Sequence, residues 1–349
     1  MEEIYLIGEI GQNHNGSVDI AKLIIDCAVR EPKEDLFNLN LNGLNAVKLT
    51  KRDLDFELSS SQLNKPYNSP HSFGKTYGDH RRVLELSNEQ HFEIYKYAKE
   101  KGLDFVETLC APSCTSIFKF FTPDYLKVAS RDLTNLPLLD ELAKARIPMI
   151  LSTGMSGKED LDIALETILK YHNDVSILHC VSQYPTAPQN VNLNSIKFLK
   201  NNYPEYTIGY SDHTIGISIP VAAVAMGAKI IEKHITLDRR MKGTDQSGSL
   251  GPDGLNRMVR DIRLLELSMG VEDSFVCDSV LESKIKLERS IALKVDLKKG
   301  DKITIDHIHL LSPGDGVKWI ERDKVIGKKL ITDKLKNELI FEEDLAPKF

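Results

Sequence analysis

No stretch of this 349-residue chain reaches the roughly 20 consecutive apolar residues of a membrane-spanning helix, so no membrane partner is expected. The opening MEEIYLIGEIGQNHNGS is acidic and then strand-like, without the features of a secretory leader. Positive charge is in deficit: 45 Lys and Arg against 51 Asp and Glu give a net charge of -6, which argues against nucleic acid as a partner. Cysteines are few and odd in number. Of the five, Cys110 and Cys114 lie close together, but no second pair completes a zinc-ligand pattern. Reduced thiols in a cytoplasmic protein are the expectation. No GxGxxG follows the first apolar run, which weakens a dinucleotide-binding reading.

What the chain does have is alternation. Residues 4–10 (IYLIGEI) read as a buried strand, and Ser17 caps a helix over 18–30. A strand at Ala46–Leu49 follows, then a long, weakly periodic segment, 51–87, and a helix from Ser87 to Gly102. Strands are expected at 104–109, 125–128, 148–152 and 175–180, with helices at 111–120, 136–146, 157–171 and 193–202. The stretch Thr207–Thr236 (TIGYSDHTIGISIPVAAVAMGAKIIEKHIT) adds strand, small-residue helix and strand, and a last helix lies near 252–269. Eight strands, each followed by a helix, favour the α/β class and a closed (β/α)8 TIM barrel over an open sheet. The chain beyond about 287 changes to short strands and turns rich in Lys, Gly and Asp, a small β-rich module of its own. The expected division is a catalytic barrel over 1–275, a linker over 276–286 and the module over 287–349.

In such a barrel the active site lies at the C-terminal ends of the strands, and polar residues collect there. Strand one ends with Glu9, strand two with Lys48, and strand three with Glu107 and Thr108. Strand four offers Lys127 and Ser130, strand five Ser152 and Thr153, and strand six His179, with Ser182 and Tyr184 beyond it. Strand seven gives Ser211, Asp212 and His213; strand eight gives Glu232 and His234. If the last two strands are neighbours, His213 and His234 point at one spot and form a candidate divalent-metal site; the bland alternative is two histidines satisfied by the backbone. Lys48 and Lys127 with Ser130, Ser152 and Ser211 suit a small anion, unless each lysine is instead paired with Glu9, Glu107 or Asp132. Glu9 and Asp212 are acid/base candidates, or orient the histidines. The loop carrying Lys75, His80, Arg81 and Arg82 is a second anion contact or a solvated basic loop. Asp245, in KGTDQS, either meets sugar hydroxyls or caps its turn.

Taken together, GEIGQNHNGS, AVKL, LKVAS, ILSTGM, LHCVSQYP, IGYSDHT and IEKHIT, in this order at successive strand ends, resemble the sialic acid (N-acetylneuraminate) synthase family over nearly the whole chain. The C-terminal module resembles the antifreeze-like SAF domain of those enzymes. The resemblance implies a transferase that condenses phosphoenolpyruvate with N-acetylmannosamine, or a related mannosamine-type sugar, and water, giving a nine-carbon 2-keto acid and phosphate by C–O cleavage. It implies Mn2+ or Mg2+ on His213 and His234, acting as a Lewis acid on the sugar aldehyde. Phosphoenolpyruvate falls to Lys48, Lys127, Ser130, Ser152, Ser182 and Ser211, and the sugar to Tyr184, Asp132 and Asp245, with Lys75 of the basic loop as a further sugar contact. Glu9 is the implied acid/base, with Lys48, His213 and His234 completing the catalytic set. A domain-swapped homodimer, each C-terminal module crossing to the partner's site, is implied as well.

Three departures bear on the sugar. Ser182 replaces an asparagine common in the family, Thr50 a glutamine, and Ser312 an arginine that reaches the N-acyl group, with Lys318 as a candidate substitute. The segments SPHSFGKTYGDHRR and KGTDQSGSL look more like the members that use a 6-phosphorylated sugar and form a 9-phosphate, and legionaminate and pseudaminate synthases share most of these motifs. The competing expectations are an aldolase using pyruvate and an inactive barrel that binds sugar acids.

Overall fold

The computed structural model describes residues 3–273 and 276–347. It divides into two compact units that meet in sequence between Gly270 and Val271. The boundary expected at 275 falls on Phe275, outside the described residues.

In the first unit, eight strands close into an all-parallel barrel: β1 (Tyr5–Gly11), β2 (Ala46–Lys51), β3 (Asp104–Leu109), β4 (Tyr125–Val128), β5 (Met149–Ser152), β6 (Val175–Cys180), β7 (Thr207–Asp212) and β8 (Ile230–His234). Each barrel strand pairs with its neighbours in sequence, and β8 returns to β1, so no strand of the barrel has a free edge. β-Branched and aliphatic runs such as YLIGEIG and MILS suit strands buried on both faces. Helices pack outside them. The helix Val18–Ala28 begins where the Ser17 side chain accepts the Ile20 N–H, and buries Ala21, Ile24, Ile25 and Ala28 at helical spacing.

Two local expectations change. Residues Pro112–Lys119 wind as a 3-10 helix. Pro112 opens the turn, and the Thr115 hydroxyl donates back to the Pro112 carbonyl at 2.7 Å, which favours a tight turn over a regular α-helix. The weakly periodic 51–87 segment contains helices at Leu54–Glu57, Ser60–Leu63 and Tyr77–Leu84. The last is nucleated by a capping box in which Thr76 and Asp79 satisfy each other's backbone N–H groups. It buries only Gly78, His80 and Leu84, too few to mark a helical stripe in the sequence.

The second unit carries a 3-10 turn at Asp278–Val280 and a helix at Leu281–Leu287, so part of the expected linker is helical. Strands β9 (Ser290–Leu293) and β10 (Ile308–Leu311) pair antiparallel, around a small core that includes Ile291, Leu293, Ile303, Val325 and Ile340. Among the described residues no helix is long and apolar enough to cross a membrane.

Candidate active site

Inside the barrel, side chains of alternate residues stack in layers, because successive residues of a strand face opposite sides. Tyr5 and Tyr125, with ring centroids 5.3 Å apart, lie at the start of their strands. Two residues on, Ile7, Ala46, Val106, Ile150, Leu178 and Ile230 form one aliphatic cluster. Two residues further, the same parity delivers Glu9, Lys48, Thr108, Lys127, Ser152, Cys180 and Glu232 to a cavity of about 300 Å3 at the C-terminal ends. The apolar plug below and the polar layer above thus come from one alternation.

The two lysines of this layer stand in different surroundings. Lys48 Nζ lies 3.0 Å from Glu9 and 3.6 Å from Glu232, and 3.4 Å from the Thr108 hydroxyl. Lys127 is fully buried and forms no ion pair among the described residues; its ammonium donates to Ser152 Oγ at 2.6 Å and to the Val128 carbonyl at 2.9 Å. Burial lowers the Lys127 pKa from its ordinary value, with the charge of Glu232 opposing that. Beside it, Ser130 Oγ accepts the Gly154 N–H at 2.9 Å. A Cβ on Gly154 would stand 2.5 Å from Ser182 Oγ and 2.8 Å from Ser130 Oγ, so glycine is what lets the two hydroxyls close around that turn. A buried cation with a hydroxyl partner and no carboxylate in ion-pair contact can hold a small anion.

The carboxylates are split in the opposite sense. Burial pushes the Glu9 carboxyl up to about 7 against the pull of Lys48, with Glu232 adding to the push. Glu232 is equally buried, but Lys127 and Lys48 outweigh its burial and take it down to about 2; Ser211 donates to it at 3.0 Å. Glu9 is therefore poised to exchange a proton near neutral pH, while Glu232 stays charged.

His213 and His234 stand side by side, ring centroids 5.6 Å apart, with the Tyr184 ring 4.0 Å from His213. His213 Nδ1 sits 3.0 Å from the Val181 carbonyl, which fixes the proton there and leaves Nε2 with its lone pair. His234 Nδ1 is buried without a hydrogen-bond partner among the described residues, and burial lowers its pKa, so its ring is neutral. Two neighbouring imidazoles of this kind would suit a divalent ion as ligands. Among the described residues no cluster of three His, Cys, Asp or Glu side chains completes an all-protein site.

Residues 40–274 match the NeuB family and residues 288–346 the SAF domain. The chain belongs to the NeuB family. Human N-acetylneuraminate-9-phosphate synthase is 35% identical to it, over 97% of this chain and 92% of that one. N,N'-diacetyllegionaminic acid synthase of Legionella pneumophila is 33% identical, over 93% and 90%. Among solved structures, the N-acetylneuraminic acid synthetase of Leptospira borgpetersenii in complex with citrate superposes with a TM-score of 0.66 at 29% identity, covering 81% of this chain and 90% of that one.

In this NeuB-family enzyme the cavity gathers most of the side chains expected from the sequence: Glu9, Lys48, Lys127, Ser130, Ser152, Ser182, Tyr184, Ser211, His213, His234 and Asp245. Two expected sugar contacts lie elsewhere. Asp132 is buried against Arg131, 3.2 Å from its Nε, and Lys75 is exposed on its loop. Three strand-end candidates have the wrong parity. Glu107 meets His91 of the helix Asn88–Glu100 at 3.0 Å, His179 meets the Val191 carbonyl at 2.7 Å, and Asp212 is ion-paired with Lys233. Lys318, the candidate substitute for arginine, is paired with Glu288 at 2.9 Å and also donates to the Gly314 carbonyl. Sequence reasoning missed Gln12, Cys180 and Arg131 at the cavity; Arg81, read with its loop as a second anion contact or a solvated basic loop, lines the cavity as well. Arg131 carried a signal, since it directly follows Ser130 at the end of β4.

Proposed function

We propose that this enzyme condenses phosphoenolpyruvate with the open-chain aldehyde of a mannosamine-type sugar and with water, releasing phosphate and a nine-carbon 2-keto acid. The observation that carries the reading is Lys127: a buried cation with no ion pair among the described residues, bonded to Ser152, in the same cavity as Ser130, Ser182 and the imidazoles of His213 and His234. Lys127 and the hydroxyls hold the anionic groups of phosphoenolpyruvate and orient its carbon 3 toward the aldehyde carbon. As that bond forms, the aldehyde oxygen gains a proton and positive charge develops at carbon 2. Water adds there and gives up a proton, and C–O cleavage then expels inorganic phosphate. Glu9, with its pKa raised to about 7, is the group that moves protons at the reacting carbonyl. Lys127 and Lys48 together keep Glu232 ionised, which leaves Glu9 the titrating member of the pair. His213 and His234 would hold Mn2+ or Mg2+, which supplies Lewis-acid polarisation of the aldehyde oxygen. The proposal includes a domain-swapped homodimer, supported by the family resemblance of the C-terminal module.

Phosphate release should require phosphoenolpyruvate, a mannosamine-type sugar and a divalent ion together. Full activity after exhaustive chelation would remove the metal from the reading. Consumption of pyruvate without phosphate release would replace it with an aldolase.

A further inference from the structure

The segment that follows β8 leaves the barrel and comes straight back. The Thr236 N–H donates to the Leu250 carbonyl at 2.9 Å and the Leu250 N–H to the His234 carbonyl at 2.8 Å, so residues 237–249 form a loop closed at its base. One side chain pins this loop to the chain that follows β1. Gln246 is fully buried and its amide is saturated: Nε2 donates to the Asn13 carbonyl at 3.1 Å and to Asn15 Oδ1 at 3.3 Å, and Oε1 accepts from the Thr236 hydroxyl. Around it, Asn13 Nδ2 donates to the Ile235 carbonyl and to Ser249 Oγ, both at 2.8 Å, and Ser249 Oγ donates to the Asp245 carbonyl at 2.6 Å. Gly243, at φ +146°, lets the loop close over the amide, since a Cβ there would stand 2.9 Å from Gln246 Cγ.

The residue beside Gln246 is bonded in the opposite way. Asp245 opens the 3-10 turn Gln246–Gly248, but its side chain does not cap that turn, and its carboxylate forms no hydrogen bond or ion pair among the described residues. It lines the active-site cavity, and also a smaller recess that it shares with Tyr184, His213 and His234. A saturated side chain next to one without a protein partner divides anchoring from contact. We propose that Gln246 is a positioning residue: its amide, spanning the loops after β1 and β8, holds the Asp245 carboxylate beside the two imidazoles, where it accepts a hydrogen bond from the second substrate. This role rests on the condensing activity proposed above. Lys127, Ser130 and Ser152 stand at the ends of β4 and β5, across the barrel from β8 and β1, so the phosphoenolpyruvate site is not tied to this amide.

The test is a double-mutant cycle on kcat/KM for the sugar, using whichever of N-acetylmannosamine and its 6-phosphate reacts faster, with phosphoenolpyruvate and Mn2+ saturating. Asp245→Ala should lower it by about 10- to 100-fold, the loss of a hydrogen bond to a charged group. Gln246→Met, which keeps the size and removes the hydrogen bonds, should lower it by about 10-fold through misplacement of Asp245. It should leave the KM for phosphoenolpyruvate within about twofold of wild type, as a distant site requires. In the Asp245→Ala background, Gln246→Met should cost less than about twofold more, because no carboxylate remains to be misplaced. Effects that multiply, or an equal rise in the KM for phosphoenolpyruvate, would show a general defect and overturn the proposal. Thr236→Val, which withdraws the hydroxyl from Gln246 Oε1, serves if Gln246→Met does not fold, and should show a smaller loss with the same dependence on Asp245. Hydrogen exchange needs no substrate: Gln246→Met should speed exchange in 237–249 and leave β4 and β5 as they are, and an unchanged loop overturns the anchor. If neither sugar releases phosphate from phosphoenolpyruvate, the condensing activity itself fails, and exchange alone decides whether Gln246 holds the loop.

Discussion

Strands β7 and β8 carry two polar clusters that are one residue apart in sequence. Ser211, Glu232 and His234 line the cavity, while Asp212 and Lys233 face away from the barrel interior. The outward cluster is closed. Asp212 Oδ1 accepts from the Tyr210 hydroxyl at 2.9 Å and from the Thr214 N–H at 3.0 Å. Its Oδ2 accepts from the Thr214 hydroxyl at 3.0 Å and from Lys233, whose ammonium also reaches the Thr214 carbonyl. The inward cluster is open: His234 Nδ1 and Glu232 Oε2 have no hydrogen-bond partner among the described residues, and Lys127 has no carboxylate. Apart from a half-buried His234, both clusters are buried, so burial does not separate structure from function here. Completeness of the partner set does.

The largest effect should come from the open cluster. Lys127→Met removes the unpaired cation and should lower kcat/KM for phosphoenolpyruvate by about 100- to 1,000-fold, the usual cost of one preorganised donor at a developing anion. It should leave thermal stability within a few degrees of wild type or raise it, because a desolvated charge is replaced by an apolar chain of similar size. Steady-state kinetics and calorimetry on the same preparation check both halves. Unfolding at a much lower temperature would show that Lys127 is structural, and the contrast with Asp212 would break.

Asp212→Ala should behave in reverse. It strands the Lys233 ammonium, which burial already pushes below its ordinary pKa and which Asp212 supports. Removing one partner of a buried pair costs about 3–5 kcal/mol, a fall in Tm on the order of 10 °C for a domain of this size. A drop of only a degree or two would mean that the outward network contributes little.

The alternation of strands and helices along the chain marks the barrel, and the polar residues at the strand ends mark its mouth. Parity is what the same residues do not reveal. A strand buried on both faces has no polar face to set the phase, and a shift of one residue exchanges Asp212 for Ser211 or Glu107 for Thr108. His179 illustrates the point: it stands at a strand end like His213 and His234, yet it is satisfied by the Val191 carbonyl. The Tyr77–Leu84 helix escapes a reading by periodicity because it buries three residues in eight, so Arg81 reads as a loop residue although it stands on a helix. The pairing of Lys48 with two carboxylates, and of Lys127 with none, depends on closing β8 onto β1, a contact between residues more than 200 apart in the chain.

The smallest effect separates the two carboxylates inside the open cluster. Glu9 has a folded pKa of about 7 against an ordinary 4.5, so the folded state holds its proton more tightly than the unfolded chain does. Its contribution to stability is therefore complete below pH 4.5 and is lost as the pH rises through 7. Glu232, at about 2, contributes the other way: its stabilisation is present above pH 4.5 and is lost as the pH falls toward 2. Measured against Glu9→Gln, which cannot ionise, the wild type should lose about 2–3 kcal/mol of relative stability between pH 5 and pH 8. Measured against Glu232→Gln, it should lose about 1 kcal/mol of its advantage between pH 6 and pH 4. Denaturant titrations of the three proteins across that range give both differences. A gap between wild type and Glu9→Gln that stays constant from pH 5 to pH 8 would mean that Glu9 is ionised throughout, and the proton transfers would then need another group.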